Sequence, residues 1–170
     1  MTRATIVVGD PTAPGAAWLR AVAAADQERL RGWRNAAAHA FFERSPVDAA
    51  GQRRWFEGYL GRDEDFLFMV MDGTEACGCV GVRLAAGEWD VYNVIRGART
   101  PGSRGFMGRG LELLVGFARR RAGLPVRAVV LAGNPAIAWY ERHGFGIAAR
   151  REGSVVMRWT EGPATPAAVA

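Results

Sequence analysis

The spacing of apolar positions along the 170-residue chain changes period more than once. Residues 4–8 form a short β-branched run that reads as a strand. Residues 11–25 are Ala-rich and fit neither period. A helix is expected from about Asp26, with Leu30 and Trp33 apolar and Phe41 and Phe42 following. Ser45-Pro46 reads as an N-cap with proline at the first helical position. Trp55, Phe56, Tyr59 and Leu60 then recur at helical spacing as a buried stripe. After Asp65 the pattern becomes that of strands: 66–71, a hairpin turn at Asp72-Gly73, 77–84, a break at Gly87, and 89–95. These three predict an antiparallel meander.

The helical period returns over 106–121, with Leu113, Leu114 and Phe117 on one face, until Gly123 and Pro125 stop it. Residues 126–131 are rich in valine and predict a buried strand. Asn134-Pro135 opens another helix, which ends at His143-Gly144 where glycine supplies a left-handed cap. Short strands at 145–149 and 155–159 close the pattern. This order predicts a mixed α/β (α+β) fold, one central mixed sheet with helices on both faces. The helix between two strands near the end implies a right-handed crossover and a parallel pair. No repeat or linker divides the chain, so residues 1–161 are expected as one domain. The uncharged Pro/Ala-rich segment 162–170 is expected as a disordered tail.

Composition adds few constraints. Hydrophobic residues make up 49% and charged residues 23%, ordinary values for a water-soluble domain. No apolar run approaches the roughly 20 residues that span a bilayer, and the first residues lack a secretory pattern. A cytoplasmic protein without a membrane partner is expected. The formal charge is +5, and all 22 basic residues are arginine. Seven arginines and one acid, Glu112, fall between Arg96 and Arg121; guanidinium grips phosphate in a bidentate way, although a solvated face is the alternative. The aromatics fall on expected core faces instead of interleaving with arginine, which argues against a nucleic-acid partner. Cys77 and Cys79 have no second pair to complete a metal site, and they read as small hydrophobes on one strand face.

Two segments carry candidate chemistry. In Arg104-Gly105-Phe106-Met107-Gly108-Arg109-Gly110, glycines clear the approach to backbone N–H groups at a helix start, an arrangement suited to pyrophosphate. The glycine order does not match a dinucleotide-binding fingerprint, and a chain without lysine cannot form a P-loop. In the second segment, Asn134 to Phe145, Tyr140 lies nearly two helical turns beyond the capping Asn134.

Together these segments resemble the GNAT superfamily of acyl-CoA-dependent N-acyltransferases. The Trp33-Arg34-Asn35 triplet and the strand ending Tyr92-Asn93-Val94-Ile95 are similar to its protein N-terminal and nucleotide-sugar acetyltransferase branches. The resemblance covers residues 27–159. It implies that backbone N–H groups from Gly105 to Gly110, with Arg104 adjacent, hold the donor pyrophosphate. Val94, Ile95 and Arg96 would pair with the pantetheine arm and polarise the thioester carbonyl, and Asn134 would contact the same arm. Tyr140 would protonate the departing thiolate. Trp33, Arg34, Asn35 and Tyr92 would face the acceptor.

The chain also departs from that family. Gly105 stands where Gln or Arg is usual, and Val129 stands where some relatives carry a carboxylate base. Asp90 and Glu88 are the available carboxylates, Asp90 the preferred one; a neutral amine losing its proton to water is the alternative. His39 and His143 are lesser candidates. The expected activity is N-acyl transfer, in the simplest case acetyl transfer from acetyl-CoA or another acyl-CoA, to an amine of a small molecule or a protein N-terminus. Delivery of a specialised acyl group by a carrier-protein phosphopantetheine, as in natural-product biosynthesis, is a second reading. A non-catalytic acyl-CoA-binding module is a third. The chain is expected as a monomer or homodimer.

Overall fold

The computed structural model describes residues 5–97 and 105–160. Arg104 and the expected tail at 162–170 lie outside them. The described elements are β1 (Val7–Val8), β2 (Ala17–Ala21), α1 (Gln27–Ala36), α2 (Ala49–Leu60), β3 (Asp65–Asp72), β4 (Glu75–Ala85) and β5 (Glu88–Arg96). They continue with α3 (Phe106–Arg121), β6 (Val126–Leu131), α4 (Ala136–Arg142), β7 (Phe145–Arg151) and β8 (Ser154–Trp159). The strands join into one sheet in the order β1-β2-β3-β4-β5-β6-β8-β7. Every neighbouring pair is antiparallel except β5–β6.

The apolar run of β3 is continuous because both faces of this central strand are covered. Phe66, Phe68 and Val70 face the layer of α3 and α4. Leu67, Met69 and Met71 face the layer of α1 and α2. The fold is therefore the expected mixed sheet with helices on both faces. The parallel pair is β5–β6, joined through α3. The strands flanking α4 are not neighbours, because β8 lies between β6 and β7.

Two bulges change which side chains share a face. Val70 pairs with Gly78 and Met71 with Ala76, so Cys77 is an extra residue in β4. Cys77 packs with the α3 side and Cys79 with the α1–α2 side. Both thiols are buried and free, but the expectation of one shared face fails because the extra residue inverts the alternation. A second shift sets Cys79 opposite Ile95 and Gly81 opposite Tyr92. Asn93 and Val94 thereby face the single residue Val80. Asn93 adopts φ 47°, a left-handed conformation that Asn tolerates better than most residues.

The start of α2 differs from expectation. Asp48, not Ser45, caps it: its carboxylate accepts from the Gly51 N–H at 2.6 Å. The buried stripe of α2 is Gln52, Phe56 and Tyr59, at i, i+4 and i+7, whereas Leu60 is 56% exposed. In α3 the buried stripe runs through Met107, Leu111, Leu114, Val115 and Ala118, while Leu113 and Phe117 flank it, partly buried.

Candidate active site

The parallel pairing of β5 and β6 is short. Trp89, Asp90 and Val91 pair with Val126, Arg127 and Ala128. Beyond that point β5 stays with β4 while β6 stays with β8. The bulge at Asn93 bends β5 where the separation begins. A V-shaped cleft of about 1030 Å³ opens between the strands, with Val94, Ile95 and Arg96 on one wall and Val129, Val130 and Asn134 on the other. Among the described residues, no strand pairs with the backbone of residues 94–96 on the β6 side. Its open polar groups suit an extended arm lying alongside as an added strand would.

The N-terminus of α3 lies close to this cleft, and Met107 lines it. Gly105 caps the helix at φ 89°. Its carbonyl accepts from the Arg109 N–H at 3.0 Å. The N–H groups of Phe106, Met107 and Gly108 precede that first helical bond and have no intrahelical acceptor. The N–H groups without an intrahelical acceptor are thus fewer than the expected span from Gly105 to Gly110, because Arg109 and Gly110 sit inside the helical ladder.

The missing side chains of Gly108 and Gly110 also permit close packing. A Cβ on Gly110 would lie 2.8 Å from Val70 Cγ2, and one on Gly108 would lie 2.2 Å from His143 Cε1. Glycine at 108 therefore lets the end of α4 close on the first turn of α3. Gly108→Ala is expected to lower unfolding stability by about 1–3 kcal/mol through overpacking, and His143→Ala in the same chain to recover most of it. Denaturant unfolding of the single and double variants checks this.

The arginines expected as one field are divided. Arg119, Arg120 and Arg121 lie in the last turn of α3, roughly 20 Å from its N-terminus at 1.5 Å per residue, where they complement the negative end of the helix dipole. Arg109 pairs with Glu112 at 3.0 Å. Arg96 is exposed at the end of β5.

Tyr140 is 6% exposed and packs edge-on to Phe145 and Trp139 with ring centroids 5.2 and 5.1 Å apart. It lines the cleft, and among the described residues no group hydrogen-bonds its hydroxyl. Burial, and secondarily the charge of Asp90, push the phenol well above its ordinary value of 10. Asn134 Oδ1 accepts from the Ala136 N–H at 2.8 Å, and its carbonyl accepts from the Ile137 N–H at 3.0 Å. The residue thus holds the start of α4 while lining the cleft.

Asp90 also lines the cleft, but both carboxylate oxygens are taken. Arg83 reaches Oδ2 at 3.1 Å and Arg127 reaches Oδ1 at 3.3 Å. Glu88 binds Arg127 and Arg158 in turn. Register explains the ladder, since Arg83 and Arg127 stand opposite Asp90 on the adjacent strands. His143 lies 3.7 Å from Glu112 and stacks near Trp139, and His39 lines the cleft on the loop after α1.

The structure separates the residues expected at the acceptor. Trp33 packs beneath Gly97, where a Cβ would lie 2.2 Å from its ring. The Asn35 amide is engaged twice with the backbone of Val47, at 2.8 and 2.9 Å, and pins the loop before α2. Tyr92 lines the cleft and donates to Asp65. Arg34 stacks over Phe41 at 3.9 Å, donates to the Glu43 carbonyl, and lines a second cavity of about 510 Å³ between α1, α2 and the sheet. Asn93 and Ile95 line both cavities. Sequence reasoning missed Gln52, which lines the second cavity; the available signal was a polar residue four positions before Phe56 on an otherwise apolar stripe. Among the described residues no three His, Cys, Asp or Glu side chains are grouped so as to hold a metal ion.

The profile of the acetyltransferase (GNAT) domain family matches residues 17–146. No curated protein sequence matches the chain. Among solved structures, the apo form of FdhC, a nucleotide-linked sugar GNAT, superposes with TM-score 0.72 at 15% identity, over 85% of this chain and 86% of that one. Ribosomal-protein-alanine N-acetyltransferase from Brucella melitensis gives 0.65 at 21% identity, over 82% and 97%. Spermidine N-acetyltransferase from Vibrio cholerae, in complex with CoA and spermine, gives 0.64 at 18% identity, over 84% and 92%. At these identities the likeness establishes a shared fold.

Proposed function

The chain belongs to the GNAT acetyltransferase family, and from that premise we propose that it transfers an acyl group, acetyl in the simplest case, from a CoA thioester to an amine. The acceptor on this reading belongs to a small molecule or a protein N-terminus. One observation carries the reading: a buried tyrosine, whose hydroxyl has no hydrogen-bond partner among the described residues, lines the same cleft as an open strand edge. The free N–H groups of Phe106, Met107 and Gly108 suit the donor pyrophosphate. The open backbone of residues 94–96 suits the pantetheine arm and the thioester oxygen.

In the reaction, the lone pair of a neutral amine forms a bond to the thioester carbon, and the carbon–sulfur bond breaks. Tyr140 gives its proton to the departing sulfur. The proton lost from the amine passes to water, and Tyr140 is reprotonated from solvent, so amine and thioester become amide and thiol. A free thiol has a pKa near 8.5, so the phenol helps the sulfur leave.

We assign Asp90 to the arginine ladder that ties β5 to β4 and β6, because both of its oxygens are engaged by arginine. Asp90→Asn is then expected to lower kcat by less than about tenfold and leave the acid limb of the pH–rate profile in place. A general base at this position would cost about 10²- to 10⁴-fold and abolish that limb. Turnover of acetyl-CoA against a panel of amines, followed by thiol release, tests the function itself. Thiol release with a carrier-bound acyl group and none with acetyl-CoA would move the donor to a carrier protein.

A further inference from the structure

We propose that the second cavity takes the acceptor, and that this acceptor is a small amine with an apolar body and a carboxylate, of the amino-acid class. The inference rests on the N-acyltransferase reading above. The cavity meets the donor cleft at Asn93 and Ile95, the residues common to both. An amine seated in the cavity therefore reaches the thioester from the side opposite Tyr140's helix. Its volume, about 510 Å³, is that of a small-molecule site.

The lining defines the chemistry. Leu30, Leu67, Ile95 and Trp55 supply an apolar body, with Trp55 stacked on Tyr59 at 5.5 Å. Gln52 is 7% exposed and lines this cavity. Among the described residues, Arg34 Nη1 is buried without a hydrogen-bond partner. Unmade hydrogen bonds on buried groups are costly, most of all on a charged one. A carboxylate answers this need, because a planar guanidinium already stacked on Phe41 presents its remaining N–H groups in a plane.

The carboxylates of the lining are already committed. Glu43 accepts from the Ser45 N–H at 2.8 Å and Asp48 from the Gly51 N–H at 2.6 Å. Two arginines, Arg34 and Arg54, stand against these two acids. Such a lining lacks the surplus of free acids that a polyamine requires.

The test measures thiol release from saturating acetyl-CoA with leucine, phenylalanine, phenylalaninol, phenethylamine and spermidine as acceptors. The expected result is a kcat/KM for phenylalanine or leucine roughly 10- to 100-fold above those of the amines lacking a carboxylate, the span of a hydrogen bond to a charged group. Arg34→Gln should narrow this gap to about twofold by raising KM for the amino acid. Because Arg34 also holds the loop before α2, Gln52→Leu provides a second variant, expected to raise the same KM several-fold with kcat retained. Turnover of spermidine or phenethylamine equal to or above that of phenylalanine overturns the inference and leaves the N-acyltransferase reading standing. Acetyl-CoA binding without turnover of either amino acid overturns it as well. Failure of acetyl-CoA to stabilise the wild-type protein, with no amine acetylated, counts against the donor site itself.

Discussion

Replacing Tyr140 by Phe is expected to lower kcat by about 10²- to 10⁴-fold, the range for loss of a positioned general acid, with affinity for acetyl-CoA unchanged. The substitution removes one oxygen and keeps the ring. The ring contacts to Phe145 and Trp139 are those that set the end of α4, so the fold is retained. Among the described residues the hydroxyl has no hydrogen-bond partner to lose, so its removal leaves none of them unsatisfied. The phenol's pKa is raised above its ordinary 10, first by burial and then by Asp90. Tyr140 is therefore protonated throughout the neutral range, and no alkaline limb from this residue should appear below pH 10. Steady-state kinetics with a calorimetric titration of acetyl-CoA separates the chemical step from binding. Equal kcat for both proteins would remove Tyr140 from the mechanism.

Trp89→Ala is expected to cost about 3–5 kcal/mol of unfolding free energy, with a fall in midpoint on the order of 10 °C. Trp89 is 0% exposed and packs on Phe66 at 6.4 Å between ring centroids. Its indole N–H donates to the Ala122 carbonyl at 3.1 Å, and its backbone N–H donates to the Pro125 carbonyl at 2.8 Å. One side chain thus ties β5 to the end of α3 at the closed end of the cleft. Truncation leaves a large void there and takes away one of the two hydrogen bonds at the Ala122 carbonyl, the Leu124 N–H keeping the other, so both walls lose their common anchor. Thermal and denaturant unfolding measure the cost. A loss below about 1 kcal/mol would mean that the cleft is held together elsewhere.

The elements that sequence periodicity revealed are those with uninterrupted patterns. The apolar run of β3, the amphipathic α3 and the Asn134-Pro135 helix start all carry their signal locally. The bulges carry none. Nothing in Cys77-Gly78-Cys79 announces an extra residue, because the shift depends on pairing with β3, across the sheet. The same holds at Asn93, where the bulge that opens the cleft between β5 and β6 arises from β4 register. Local signals also competed before α2: Ser45-Pro46 has the composition of a helix start, but Asn35 pins Val47 and leaves Asp48 to cap.

The proposed donor side carried a local signal because it is built from backbone at a helix start, which glycine spacing reports. The proposed acceptor side carried none, because it is assembled from side chains of α1, α2 and three strands. Arg34 was named from its place beside Trp33, yet only packing shows that it lines a cavity while Asn35 holds a loop. Asp90 stood out as a carboxylate near the cleft. Its two arginine partners lie on different strands, at positions fixed by register.

Thermal unfolding of the purified chain with and without acetyl-CoA tests the central claim most directly, since the claim requires a donor site in the cleft between β5 and β6. A ligand that binds only the native state adds about 2.7 kcal/mol at roughly 100 times its dissociation constant, so the account predicts a midpoint raised by several degrees. An unchanged midpoint at millimolar acetyl-CoA would contradict it.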